Sequence, residues 1–313
     1  MVRAALQVVL LGAFLLASPA GAGAQDDGPV TSVAFVGSRV AVGFHDGTIT
    51  AYRIPGGLSD SELTVLTIAD WSSRAHRARV ASIAVTDSTL ISGSWDRTVR
   101  VLDTCDGHQL SVFPVGGPVE SVSLVDGQRV AFAERRSVAL LDLSTGSTRG
   151  VHSDSGGRVL ALAVSPTTRS VVSGGKSREA HLFRIEGNEE TRVLQHPDTV
   201  GSVFLVGSPE SVVTTCWDGQ VRLWPSQGSQ PDTFRAHDTQ VTAACMEART
   251  GILVTAGLDR NIRVWSLHDK RLVREISLTA EHQHALALAI SRDAGLLVIG
   301  TARRHVLAIK LEH

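Results

Sequence analysis

The chain has 313 residues, with 30 Lys and Arg against 31 Asp and Glu and a formal charge of −1. No basic stripe runs along it, Arg135-Arg136 and Arg303-Arg304 being isolated pairs beside turns, so nucleic acid is not an expected partner. Cys105, Cys216 and Cys245 are an odd number without framework spacing; they read as mostly buried thiols, and a Cys216–Cys245 bridge is allowed but not predicted.

The amino terminus reads MVRAALQVVLLGAFLLASPAGAGA. Arg3 gives a positive start, residues 4–17 are apolar apart from Gln7, Ser18-Pro19 break the run, and Ala22-Gly23-Ala24 offers small residues for cleavage. The apolar stretch is shorter than the roughly 20 residues a spanning helix needs. Residues 1–24 are therefore expected to be a signal peptide cleaved near Ala24, which leaves 25–313 secreted or periplasmic.

From residue 30 onward one unit recurs. ISGSWDRTVRVL (91–102), VTTCWDGQVRLW (213–224) and VTAGLDRNIRVW (254–265) each hold a short apolar strand, a polar turn with an Asp and an alternating strand; AVGFHDGTITAY (41–52) is a weaker copy. Asp218 and Asp259 lie 41 residues apart, and the 122 residues from Asp96 to Asp218 hold three such periods. FAERRSVALL, SGGKSREAHLF and VIGTARRHVLAI supply the missing copies, with Arg135, Ser177 and Arg303 at the lost Asp positions, which makes seven units.

Each unit opens on an apolar strand such as VTSVAF, VASIAV or VLALAV, and most close on a fourth, such as LTVLTIA, QLSVFPV or DTFRAH. Four short strands every 40-odd residues predict an all-β, seven-bladed β-propeller of four-stranded antiparallel blades. IPGGLSDSE reads as a turn-rich surface insertion. The last unit stops after its third strand, LAIKL, so the seventh blade is expected to have three strands, or residues 25–29 as its outer edge. An open edge of this kind would accept a strand from a partner or a second copy.

These parts resemble the WD-repeat (WD40) family over nearly all of residues 30–313. The Trp that ends the third strand is kept at Trp224 and Trp265, while Leu102 replaces it in the second unit. The His before the first strand is kept at His76, His196 and His237, and a further one stands at His282. The resemblance implies structural tetrads: His76, Ser92 and Asp96 in the second unit, His196, Thr214, Asp218 and Trp224 in the fifth, and His237, Thr255, Asp259 and Trp265 in the sixth. Ser/Thr, His and Asp also spell a catalytic triad. A set that recurs in several units, with no G-x-S-x-G elbow, reads as scaffold rather than as catalyst.

The resemblance also implies a docking surface at the end bearing the Asp turns. The residues just before the turn Asp are His45, Trp95, Glu134, Lys176, Trp217, Leu258 and Ala302. Trp95 and Trp217 stand out in a chain with 4% aromatics. His282-Gln283-His284 would share a strand face, yet no carboxylate or Cys cluster accompanies them, so no metal is expected, and no cofactor. The expected function is a non-catalytic protein-interaction platform with a protein or peptide partner. The alternative is an exported propeller enzyme or ligand-binding protein with a site over the central channel. Only Glu120 and Glu247 flank the inner strands, too few charged groups for such a site.

Overall fold

The computed structural model describes residues 28–311 apart from 155, 166, 187–189, 208–209, 229 and 294. The expected signal segment, residues 1–24, lies outside them. The apolar runs become the inner strands, because β-branched side chains suit a strand covered on both faces. All described strands fall into seven antiparallel sheets of four, and no helix occurs among the described residues. Blade 2 is typical: Val80–Val85 innermost, then Thr89–Ser94, Thr98–Asp103 and Gln109–Pro114. Burial falls from complete at Val80–Val85 to mostly exposed at Gln109–Pro114.

Inner strands of successive blades pack side by side, and Val30–Val36 of blade 1 packs against both Val80–Val85 and Ala285–Ile290 of blade 7, so the ring is closed. Close approach is secured by small residues on the second strands. A Cβ on Gly93 would meet Val119 Cγ1 of the next blade at 2.5 Å, and one on Gly300 would meet Val30 Cγ1 at 2.2 Å across the closure. Each inner strand carries a bulge near its start, as at Val80/Ser82 and Val119/Ser121. Thr31, within the bulge of blade 1, donates from Oγ1 to Val80 O of blade 2 at 2.7 Å. Thr242 in blade 6 does the same to Ala285 O of blade 7 at 2.8 Å.

Closure corrects the expected open edge. The outer strand of blade 7 is Thr64–Val65, which pairs antiparallel with Val306–Lys310 through Leu307↔Val65 and Ala308↔Thr64. Leu66 N donates to Val306 O at 2.8 Å and Lys310 N to Ser59 O at 3.0 Å. LTVLTIA is therefore not the outer strand of blade 1; Ala69–Ser73 is. Blade 7 has four strands, neither residues 25–29 nor a partner is needed to complete it, and the edge at 305–311 is occupied. The apparent insertion, 54–62, leads directly into the clasp at 63–66. The physical reason is burial: Leu66 enters the core shared by blades 1, 2 and 7, and Leu63 packs on the core of blades 6 and 7. Arg304 of the blade 7 turn also pairs with Asp46 of the blade 1 turn at 3.1 Å.

Cys216 and Cys245 are buried and unbridged, and Cys105 is exposed on a turn, in keeping with mostly buried thiols. One further expectation is corrected. His282-Gln283-His284 lies in a loop with Gln283 at φ 59°, not on a strand, so the shared-face argument fails. His282 Nδ1 instead meets His305 Nδ1 at 2.9 Å.

Candidate partner-docking face

Six of the seven units join their second and third strands by a three-residue loop whose last residue is left-handed. That residue is Gly47, Arg97, Arg178, Gly219, Arg260 or Arg304. This is the three-residue hairpin in which a type I turn hands over to a residue of positive φ. Asp suits the middle position because its carboxylate caps the following N–H. Asp46 Oδ1 accepts from Thr48 N at 2.8 Å, Asp96 Oδ1 from Thr98 N at 3.0 Å and Asp218 Oδ1 from Gln220 N at 3.0 Å. Blade 3 departs from the pattern. Glu134 pairs with Ser137, so the loop is only Arg135-Arg136 and Arg135 itself has φ 50°. Arg135 does not stand in for the Asp. Glu134, the last strand residue, accepts from Gly117 N at 2.6 Å instead.

The left-handed carbonyl holds the loop that bears the His. His76 N donates to Gly47 O at 2.9 Å, His196 N to Arg178 O at 2.9 Å and His237 N to Gly219 O at 3.0 Å. Turns and His loops thus share one end of the propeller.

In blade 6 the polar chain is complete. Trp265 Nε1 donates to Thr255 Oγ1 at 3.0 Å; Thr255 Oγ1 lies 2.9 Å from His237 Nε2, and His237 Nδ1 lies 3.1 Å from Asp259. The indole N–H donates to the threonine hydroxyl, and Arg263 Nη1 joins the chain 2.8 Å from His237 Nδ1 and 2.9 Å from Asp259 Oδ2. Burial alone would raise the Asp259 carboxyl. Hydrogen bonds from His237, Asn261 and Arg263 outweigh it and hold the group below the usual carboxylate range. Blade 2 keeps His76 Nδ1 on Asp96 at 3.0 Å and Nε2 on Ser92 at 2.7 Å, with buried Leu102 where the Trp would stand. Thr98 Oγ1 adds a 2.6 Å bond to Asp96.

Blade 5 is rewired. Trp224 and Thr214 meet at 3.0 Å and Thr214 and His196 at 2.8 Å, but His196 Nδ1 donates to Leu194 O at 2.9 Å rather than to Asp218. Asp218 pairs with Arg222, buried four residues on, at 2.5 Å. Burial, together with the Arg222 charge, pushes the His196 imidazole down to about 4.

At the position before the Asp, Leu258 is exposed at 36%, while His45, Lys176 and Ala302 are half-buried. Trp95 and Trp217 are half-buried too. Trp95 is held by a group the sequence did not announce. Its Nε1 donates to Glu120 Oε2 at 3.0 Å, and the guanidinium groups of Arg79 and Arg158 lie 5.1 and 5.5 Å from its ring centre. Glu120, 2% exposed, also takes Arg158 as an ion partner. Arg79 is 3% exposed, and its Nε and Nη2 meet no acceptor among the described residues. Burial, with help from the Arg158 charge, lowers Arg79 to about 10, so it stays charged at neutral pH. These residues stand at the starts of the inner strands of blades 2 to 4. The available signal was an Arg directly before the first Val of two units, in RVASIAV and RVLALAV. Glu247 lies at the far end of its strand, where it caps Thr250 N at 2.6 Å.

The family model described as "WD domain, G-beta repeat" matches residues 69–103, 188–225 and 228–266. The crystal structure of the WD40 β-propeller domain of Doa1 superposes with a TM-score of 0.76 at 18% identity, covering 100% of this chain and 98% of that one. Cilia- and flagella-associated protein 52 of Bos taurus is 25% identical over 122 residues, 38% of this chain and 19% of that protein. Nuclear distribution protein PAC1 of Coccidioides posadasii is 24% identical over 240 residues, 74% of this chain and 42% of that protein. The chain thus spans less than half the length of these curated relatives. Three stretches of the chain thus match the WD-repeat model, and its closed ring of seven four-stranded blades is the fold of a WD40 β-propeller.

Proposed function

We propose that the chain is a non-catalytic platform that docks a protein or peptide on the end carrying the Asp turns. The observation that supports this best is the Arg79–Trp95–Glu120–Arg158 group. Arg158 pairs there with the Glu120 carboxylate, and the Arg79 guanidinium lies over the Trp95 ring with two buried donors without acceptors. Such a group favours an acidic contact from the partner through Arg158, whose side chain is 40% exposed. Arginines that stay charged at neutral pH bind and orient an anion, whereas general acid–base work calls for a group that titrates near the operating pH.

The rim tests the reading more cleanly than Trp95, whose bond to buried Glu120 makes its removal a folding defect. With a partner recovered by crosslinking from the exported fraction, Leu258→Ser combined with Lys176→Ala should weaken binding by about tenfold or more. The melting temperature should stay close to that of the parent. Undiminished binding by this double variant would count against docking at this end.

Export is part of the same proposal and is carried by the composition of residues 1–24. Amino-terminal sequencing of the protein recovered outside the cytoplasm should read from Gln25. A start at Met1 would remove the signal-peptide reading and leave the docking face untouched.

A further inference from the structure

Blades 2, 5 and 6 carry Arg100, Arg222 and Arg263 at the third residue of the third strand or its equivalent, and each pairs with the turn Asp four residues earlier. Blade 4 changes both partners. Ser177 replaces the Asp, and His181, within Glu179–Arg184, replaces the Arg. A carboxylate arrives from elsewhere: Asp154, in the loop between blades 3 and 4, held by Asp154 N donating to Arg136 O at 2.6 Å. Glu179 and His181 are two residues apart on one strand and so share a face.

The three ligand-bearing atoms converge. His181 Nε2 lies 3.3 Å from Glu179 Oε2 and 3.9 Å from Asp154 Oδ2, and all three atoms fall within 4.8 Å of one another. Each carboxylate is anchored by its other oxygen. Asp154 Oδ1 accepts from Gly156 N at 2.7 Å, and Glu179 Oε1 from Gln195 Nε2 at 2.8 Å. Asp154 is 3% exposed, and its Oδ2, the oxygen turned toward His181, accepts no hydrogen bond among the described residues. A buried carboxylate oxygen without a donor is costly unless a cation or proton meets it. Imidazole and two carboxylates are the hard-to-borderline donors that zinc-class ions take, and bonds of about 2.0 Å in a tetrahedron place neighbouring ligand atoms roughly 3.3 Å apart. Anchoring each carboxylate through its second oxygen is the outer-shell support such sites use. The His152 ring, 4.6 Å from that of His181 and stacked on Phe183, walls one side.

We propose that Asp154, Glu179 and His181 form a binding site for a zinc-class divalent cation where blade 3 hands over to blade 4, with further coordination positions open to water. The proposal stands independently of the docking face, and its test reads metal alone.

The full chain, untagged and stripped with a chelator, is titrated with Zn²⁺ by calorimetry and followed by thermal melting. The expected result is one Zn²⁺ per chain, a raised Tm and, with Co²⁺ as probe, the intense visible absorption of low-coordinate cobalt. Glu179→Gln sits on a partly exposed side chain and should keep the metal-free Tm. It should weaken Zn²⁺ by about a hundredfold, at or beyond the upper end of what loss of outer-shell support alone costs. His181→Gln should abolish the cobalt spectrum. Failure of the parent chain to take up Zn²⁺ in stoichiometric amount overturns the site, as does parent-like affinity in both variants.

Discussion

Leu66→Pro should lower stability by on the order of 4 kcal/mol, summing a lost buried leucine, a lost hydrogen bond and the clash of the ring. For a chain of this size that is a fall in melting temperature of on the order of 10 °C. Leu66 is 4% exposed, packs in the core shared by blades 1, 2 and 7, and donates from its backbone to Val306. The pairing it extends is only two residues long, so the clasp relies on Leu63, Leu66 and the flanking backbone bonds rather than on a ladder. A ring gains from closure because every blade then has two neighbours, and releasing one outer strand bares the faces of two blades. Ile68→Ala, at a position 61% exposed, should change stability by no more than about 0.5 kcal/mol and serves as the control. Hydrogen exchange should place the weakening at 306–310 and along the inner strand of blade 1. A Leu66→Pro chain melting within a degree or two of the parent would show that the ring does not close through this segment.

Acid should weaken the fold well before the carboxylates titrate. Burial lowers His76, His196 and His237, with His196 pushed down to about 4. In blades 2 and 6 a hydrogen-bonded Asp opposes the effect of burial, whereas His196 faces Leu194 O and the Arg222 charge. The unfolded chain takes up these protons near pH 6.5 while the folded chain resists them. A depressed folded value means stability that is complete above pH 6.5 and drains away as pH falls toward 4. For His196 alone the drain amounts to on the order of 3 kcal/mol. Asp96, Asp218 and Asp259, also held below their usual range, add a second loss in the same direction below about pH 4. Thermal melts from pH 7.5 to 4 should therefore fall steadily. His196→Asn should start lower at pH 7.5 yet show a flatter limb between 6.5 and 4. Parallel curves for parent and variant would mean that His196 is not the group responsible.

The tetrads show how far spacing reaches. In blades 2 and 6, offsets in the chain place His and Asp together, because one turn geometry repeats and the residues fill it. The same offsets in blade 5 yield a different bond, with Asp218 on Arg222 and His196 Nδ1 on Leu194 O. Blade 3 loses a loop residue and with it the Asp cap, and Glu134 instead accepts from Gly117 N in the loop before the inner strand. Register placed Trp95 at the docking end. Arg79, Glu120 and Arg158, drawn from three blades, turn it inward.

The sequence by itself determined the class, the blade count and the end of the ring where turns and histidines gather, because these follow from local strand patterning repeated at a constant period. Only the tertiary structure decided how the ring shuts and which charges meet, as with Thr64–Val65 on blade 7 and Asp154 beside Glu179 and His181. Those contacts join residues far apart in the chain, and their partners are selected by which buried apolar or ionic group offsets the cost of leaving water. A period along the chain carries no record of that choice.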